Sequence, residues 1–115
     1  MRVAGFGFRK GAGMESLMAA LTLAGGGVDA IATVDTKAGG LRPLGLRLDL
    51  PVIAVPQAVL PARPGSDRVR QLYGTGSVAE ASALAAAGVG AVLVVGRVTS
   101  PDGMVVVAIA QGQGA

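Results

Sequence analysis

Two short stretches carry the side chains best suited to chemistry: Gly5-Phe6-Gly7-Phe8-Arg9-Lys10-Gly11 and Ala32-Thr33-Val34-Asp35-Thr36-Lys37-Ala38. Each follows an apolar run, and each brings in one lysine; Lys10 and Lys37 are the two lysines among ten cationic residues. An ammonium group has three donors and a full charge, so two of them beside Arg9 suit the capture of a carboxylate or phosphate. The chain has neither histidine nor cysteine, so a general base must be a carboxylate, a lysine or Tyr73. The same absences exclude Ser-His-Asp hydrolysis, thiol nucleophiles, structural zinc and histidine-ligated metals. No metal or cofactor is expected.

Other readings of the same residues stand beside these. Gly5-x-Gly7 begins a dinucleotide fingerprint, which suggests a small nucleotide-binding module, but Lys10 occupies the place of the third glycine. The glycines serve equally well to make a tight turn. Asp35-Thr36-Lys37 also reads as a polar strand end whose lysine is simply solvated. Ser77-Val78-Ala79-Glu80 has the pattern of a capping box, a structural rather than a catalytic pairing. Arg68 and Arg70 read as the outer face of a short helix.

The elements that must position these residues follow from the apolar pattern. Arg2 to Gly7 reads as a strand and Phe8 to Gly13 as a glycine-rich turn. Met14, Leu17, Met18 and Leu21 fall at helical spacing within Met14 to Leu23, a helix stopped by Gly25-Gly26-Gly27. Val28 to Val34 is a second strand, and its uncharged core suits a strand covered on both faces. Gly39-Gly40-Leu41-Arg42-Pro43 is expected to break regular structure, leaving Leu44 to Leu50 as a helical turn or an irregular leg. Pro51 to Val55 is a third strand, Pro56 to Gly65 a loop, and Ser66-Asp67 the start of a short helix bearing Val69 and Leu72. Val78 to Ala87 is an alanine-rich helix ending at Gly88. Ala91 to Val95 and Met104 to Ala110 are the last strands, joined as a hairpin through Pro101-Asp102-Gly103.

This order predicts an α/β fold: three layers, α/β/α, around a mixed, mostly parallel sheet of about five strands. If the first two strands are parallel neighbours, both lysines reach the carboxyl edge, outside which open α/β sheets bind ligands. The 115 residues suffice for one domain over residues 1–110, with residues 111–115 as a disordered tail. A net charge of +3 with a pI near 10.2 favours an anionic partner. Three aromatic residues, Phe6, Phe8 and Tyr73, are too few for a stacking reader of nucleic acid. The longest uncharged run, Ala81 to Gly96, falls short of the roughly 20 apolar residues of a membrane span. No signal peptide is read at the start, so no membrane partner and a cytoplasmic location are expected.

Four segments taken in order carry a resemblance: the two stretches above, Gly74-Thr75-Gly76-Ser77-Val78-Ala79-Glu80-Ala81, and the closing Val107-Ala108-Ile109-Ala110. Together they resemble the CobE/CbiG C-terminal domain family of cobalamin (vitamin B12) biosynthesis over nearly the whole chain. The size of the chain looks like the stand-alone CobE form. The resemblance implies a protein that binds a precorrin or corrin tetrapyrrole and assists its carriage or conversion, with other pathway enzymes as further partners. It implies a ligand site drawn from Gly7, Phe8, Arg9, Lys10, Gly11, Thr33, Asp35, Thr36, Lys37, Gly76 and Ser77. Phe8 and the Pro56 to Pro64 loop would supply apolar surface for the macrocycle. It implies alternatively a CbiG-like lactone hydrolase that releases acetaldehyde, with Lys37 or Asp35 in acid–base roles. The chain departs from the family at Phe8, where a cysteine is usual, and at Ala12-Gly13, where a Thr/Ser-type cap is usual. Any mechanism that needs that thiol is therefore excluded. The segment Lys37 to Leu50 also looks shorter and richer in glycine than the helix the family places there.

Overall fold

The computed structural model describes residues 1–56 and 75–112, with the backbone alone at residues 75–77. Strand β1 (Arg2–Phe8) leads through a glycine-rich turn to helix α1 (Met14–Leu23), then to β2 (Ala30–Val34). A single 3₁₀ turn (Asp35–Lys37) opens directly into α2 (Ala38–Leu48), followed by β3 (Val52–Val55). After the undescribed segment come α3 (Thr75–Ala87), β4 (Val92–Thr99) and β5 (Val105–Gln111).

The sheet order is β3-β2-β1-β5-β4. β1, β2 and β3 are parallel, while β5 runs antiparallel between β1 and β4, so four of the five strands point the same way. Alternation along β1 separates the two faces. Ala4, Phe6 and Phe8 join Ile31, Val105, Val107 and Ile109 beneath Leu17, Ala20 and Leu21 of α1 and Leu41 and Leu44 of α2. Val3, Ala30, Ala32, Val34 and Val55 form the opposite core, against which Val78, Ala81, Ala86 and Ala87 of α3 pack. The result is the expected three-layer α/β/α arrangement around a mixed sheet.

Four expectations need correction. The segment expected to break at Gly39-Gly40 and Pro43 is helical throughout. Ala38, Leu41, Leu44 and Gly45 are its buried stripe, and this stripe outweighs the local propensity of the glycines and proline. Two of its glycines sit in close quarters: a Cβ at Gly45 would lie 2.5 Å from Val52 Cγ2 and force a shift, and one at Gly40 would press on the Phe8 ring at 3.0 Å. Helix α3 includes Ser77, so Ser77 lies inside the first turn rather than before it as a cap for Val78. β4 runs on to Thr99 instead of ending at Val95, crossing Gly96 through irregular register against β5. Gln111 is no tail residue: it pairs with Arg2 and Val92, and the Gly112 amide donates to the Met1 carbonyl at 2.9 Å. Residues 113–115, the Pro56 to Pro64 loop beyond Pro56, the expected short helix with Arg68 and Arg70, and Tyr73 lie outside the described residues.

Candidate carboxyl-edge site

Because β1, β2 and β3 are parallel, their carboxyl ends share one edge of the sheet. The turn after β1, the 3₁₀ turn after β2 and the amino end of α3 all meet that edge. Arg9, Lys10, Gly11, Asp35, Thr36 and Lys37 are exposed there. The first turn of α3 carries Gly76 and Ser77 to it. The structure thus gathers most of the anticipated set on one edge, three cations against the carboxylate of Asp35.

Lys37 organises the edge. Its ammonium Nζ donates to the Phe8 carbonyl at 2.5 Å and stands 5.2 Å from the centre of the Phe8 ring. It is therefore a strut between the ends of β1 and β2 rather than a freely solvated side chain. Among the described residues only the Phe8 carbonyl accepts from this ammonium, which has three donors. The 3₁₀ turn makes this reach possible by folding the chain back over β1 immediately after Val34. Arg9 is held from the other side: its amide donates to the Met104 carbonyl at 2.9 Å, and its carbonyl accepts from Ala12 at 3.0 Å. Gly11, at φ +91°, closes the turn in a conformation that L side chains rarely adopt.

Three of the anticipated residues are placed inside the fold. Phe8 is only 8% exposed and packs in the α1–α2 core, so its ring offers no surface to a macrocycle; its carbonyl is the group that faces the edge. Thr33 is fully buried, and its hydroxyl donates to the Phe6 carbonyl at 2.8 Å. That bond spends a strand polar group within the sheet wall. Gly7 is buried too. Gly5, the first residue of the partial nucleotide fingerprint, is small for a different reason. A Cβ there would collide with the Ala79 carbonyl and lie 2.6 Å from the Ala83 amide nitrogen. It lets α3 lie close on β1, so its smallness needs no phosphate to explain it.

A second polar cluster borders the edge at the β4–β5 hairpin. Asp102 accepts from Ser100 Oγ at 2.5 Å, from Ser16 Oγ of α1, and from the Met104 amide at 3.0 Å. These bonds, that from Ser100 foremost, lower the Asp102 pKa to about 2. Ser100 Oγ accepts in turn from the Val105 amide at 3.1 Å. The cluster bolts the hairpin onto α1 and so fixes Met104, the partner of Arg9. Pro101-Asp102-Gly103 reads in the sequence as turn chemistry, but nothing local to it points to Ser16, which lies 86 positions away.

The described residues hold no helix long and apolar enough to cross a membrane. The family model for the cobalamin synthesis G C-terminus matches residues 2–110. The chain is 38% identical to the cobalamin biosynthesis protein chiG from Agrobacterium tumefaciens. That match covers 99% of this chain and all of the other, with a TM-score of 0.73. It is 33% identical to CobE, a protein from the cobalamin (vitamin B12) biosynthetic pathway, over 96% of this chain and 89% of that one, with a TM-score of 0.72. No curated protein matches.

Proposed function

The chain belongs to the family of the cobalamin synthesis G C-terminus and is a cobalamin biosynthesis protein of the CbiG/CobE type; on that premise we propose that its carboxyl edge binds a precorrin or corrin intermediate through the peripheral carboxylates. The observation that carries this reading is the Lys37 strut. It holds one cation at a fixed place between two strand ends, beside the exposed Arg9 and Lys10. Pathway intermediates of this kind are polycarboxylates, and preorganised ammonium and guanidinium groups form their strongest hydrogen bonds with such anions. The amino end of α3 adds partial positive charge at the same edge. Recognition runs through the acid fringe of the ligand, because Phe8 is turned into the core.

The protein binds and hands on the intermediate, working in the cytoplasm beside the other enzymes of the pathway. Titration of the purified protein with a precorrin-type tetrapyrrole, followed by visible absorbance, tests this. Saturable binding that weakens in Arg9→Ala and Lys10→Ala variants is expected. No spectral change at ligand concentrations up to about 1 mM, a free energy near −4 kcal/mol, would remove the reading. Acetaldehyde assayed in the same mixtures distinguishes carriage from lactone opening by Asp35 or Lys37: its release would assign the hydrolase.

A further inference from the structure

We propose that the outer face of α1 is the contact surface between two copies of this chain, packed about a two-fold axis with Glu15 of each copy facing Arg47 of the other. The apolar surface of α1 is wider than its buried stripe. Leu17, Ala20 and Leu21 are buried against the sheet. Met14 and Met18, partly buried at the margin of the same core, line a shallow trough of about 750 Å³ together with Ala19, Thr22 and Leu23, the last 58% exposed. Nothing among the described residues covers this face.

The charges bordering the trough select the occupant. Glu15 stands in the first turn of α1 and Arg47 in the last turn of α2, and both residues line the trough. Both helices follow parallel strands and run back from the carboxyl edge, so the two charges lie at opposite ends of the trough. Among the described residues neither has an ion-pair partner within the chain. A surface negative at one end and positive at the other is self-complementary under a two-fold axis, which reverses the trough and sets each charge against its opposite. Such an isologous arrangement is the commonest way for identical chains to associate. The alternative surface is the exposed edge strand β4, with Val92, Leu93 and Val94 at 48%, 36% and 43% exposure. Its register is broken twice against β5, and irregularity of that kind is how edge strands resist pairing.

A ten-residue helix spans only about 15 Å, so the interface is smaller than the ~800 Å² per partner of tight complexes. The dimer is accordingly a weak one, with a dissociation constant of about 10–100 µM. Sedimentation velocity on the full chain, from about 1 µM to about 1 mM, tests the proposal. Glu15→Arg and Arg47→Glu should each raise the dissociation constant at least about tenfold, and the double exchange should restore it, while Leu93→Lys should leave it unchanged. Circular dichroism confirms that these surface variants fold. A monomer throughout the concentration range, association indifferent to the Glu15 and Arg47 reversals, or a dimer abolished by Leu93→Lys would each overturn the proposal.

Discussion

Replacing Gly5 by alanine adds one methyl group to the protein at the place with least room for it. The new Cβ would lie 2.6 Å from the Ala83 nitrogen and 2.9 Å from the Ala83 Cβ, besides colliding with the Ala79 carbonyl. Two of these three obstacles are helix backbone, so no rotamer change relieves them. Either β1 must bow or α3 must lift by about 1 Å, and a gap of 0.5–1 Å forfeits a quarter to a half of each dispersion contact beneath it. α3 covers Val3, Ala30, Ala32, Val34 and Val55, so the loss spreads over the whole second core. Overpacking of a well-packed core costs about 1–3 kcal/mol, and an immovable backbone puts Gly5→Ala at the upper end. Against this stands a gain of about 0.4–1 kcal/mol from stiffening the unfolded chain. The net expectation is a loss of about 2–3 kcal/mol, read as a lower urea midpoint at unchanged slope. Gly39→Ala is the internal control. It lies in α2 with nothing within 4 Å of its would-be Cβ, so it should stabilise by about 0.5–1 kcal/mol. Ala83→Gly in the Gly5→Ala background should rescue little, because it removes only the side-chain obstacle. Wild-type stability in Gly5→Ala, or full rescue by Ala83→Gly, would refute the account of α3 packing.

Other perturbations address the edge and its supports. Lys37→Met keeps the aliphatic stem but removes the donor to Phe8, so it should lose about 1–2 kcal/mol of folding stability in urea titrations and also weaken tetrapyrrole binding. Loss of stability without loss of binding would make Lys37 a strut only. The folded-state pKa of Asp102, about 2, lies below its ordinary value of 3.8. Its stabilising contribution is therefore complete above about pH 4 and is lost as the pH falls toward 2. Asp102→Asn should flatten the acid limb of the stability profile, and an unchanged acid limb would contradict the hairpin bolt. Ser82 Oγ is buried in α3 without a partner among the described residues, so Ser82→Ala should raise stability by about 1 kcal/mol in thermal or urea melts; a loss would show that the hydroxyl is bonded.

The strands and α1 were legible because their signals are local. Uncharged runs such as Ala30-Ile31-Ala32 and the spacing of Met14, Leu17, Met18 and Leu21 hold whatever the rest of the chain does. α2 was not legible for the opposite reason. Gly39, Gly40 and Pro43 announce a break, and the purpose of Gly40 emerges only when the Phe8 ring comes to rest against it. The stripe Ala38, Leu41, Leu44 and Leu48 was the countervailing signal. At the site, the gathering of Arg9, Lys10 and Lys37 followed from strand order alone. That Phe8 would turn inward and present its carbonyl to Lys37 did not, because Phe8 reads as the first residue of the glycine-rich turn, whereas β1 runs through it and alternation sets its ring on the face of Ala4 and Phe6. Gly5 likewise reads as a phosphate loop until Ala79 and Ala83 are seen above it.

The position of β5 bears on how the molecule comes into being. Its seven-residue ladder with β1 joins Arg2 to Gln111 and Phe8 to Val105, so the longest pairing in the sheet links the first described strand to the last. β4 reaches the rest of the sheet through β5 alone. During synthesis, β1, β2 and β3 can assemble early, but the sheet keeps an open seam beside β1 until the final strand leaves the ribosome. Pairings of such long sequence separation slow folding, because the loop must close before the contacts reward it. The apolar seam beside β1 stays uncovered for that interval, and an unpaired strand edge is where a nascent chain aggregates. Once β5 is seated, β1 and β5 are locked to one another, and neither can fray without opening the middle of the sheet.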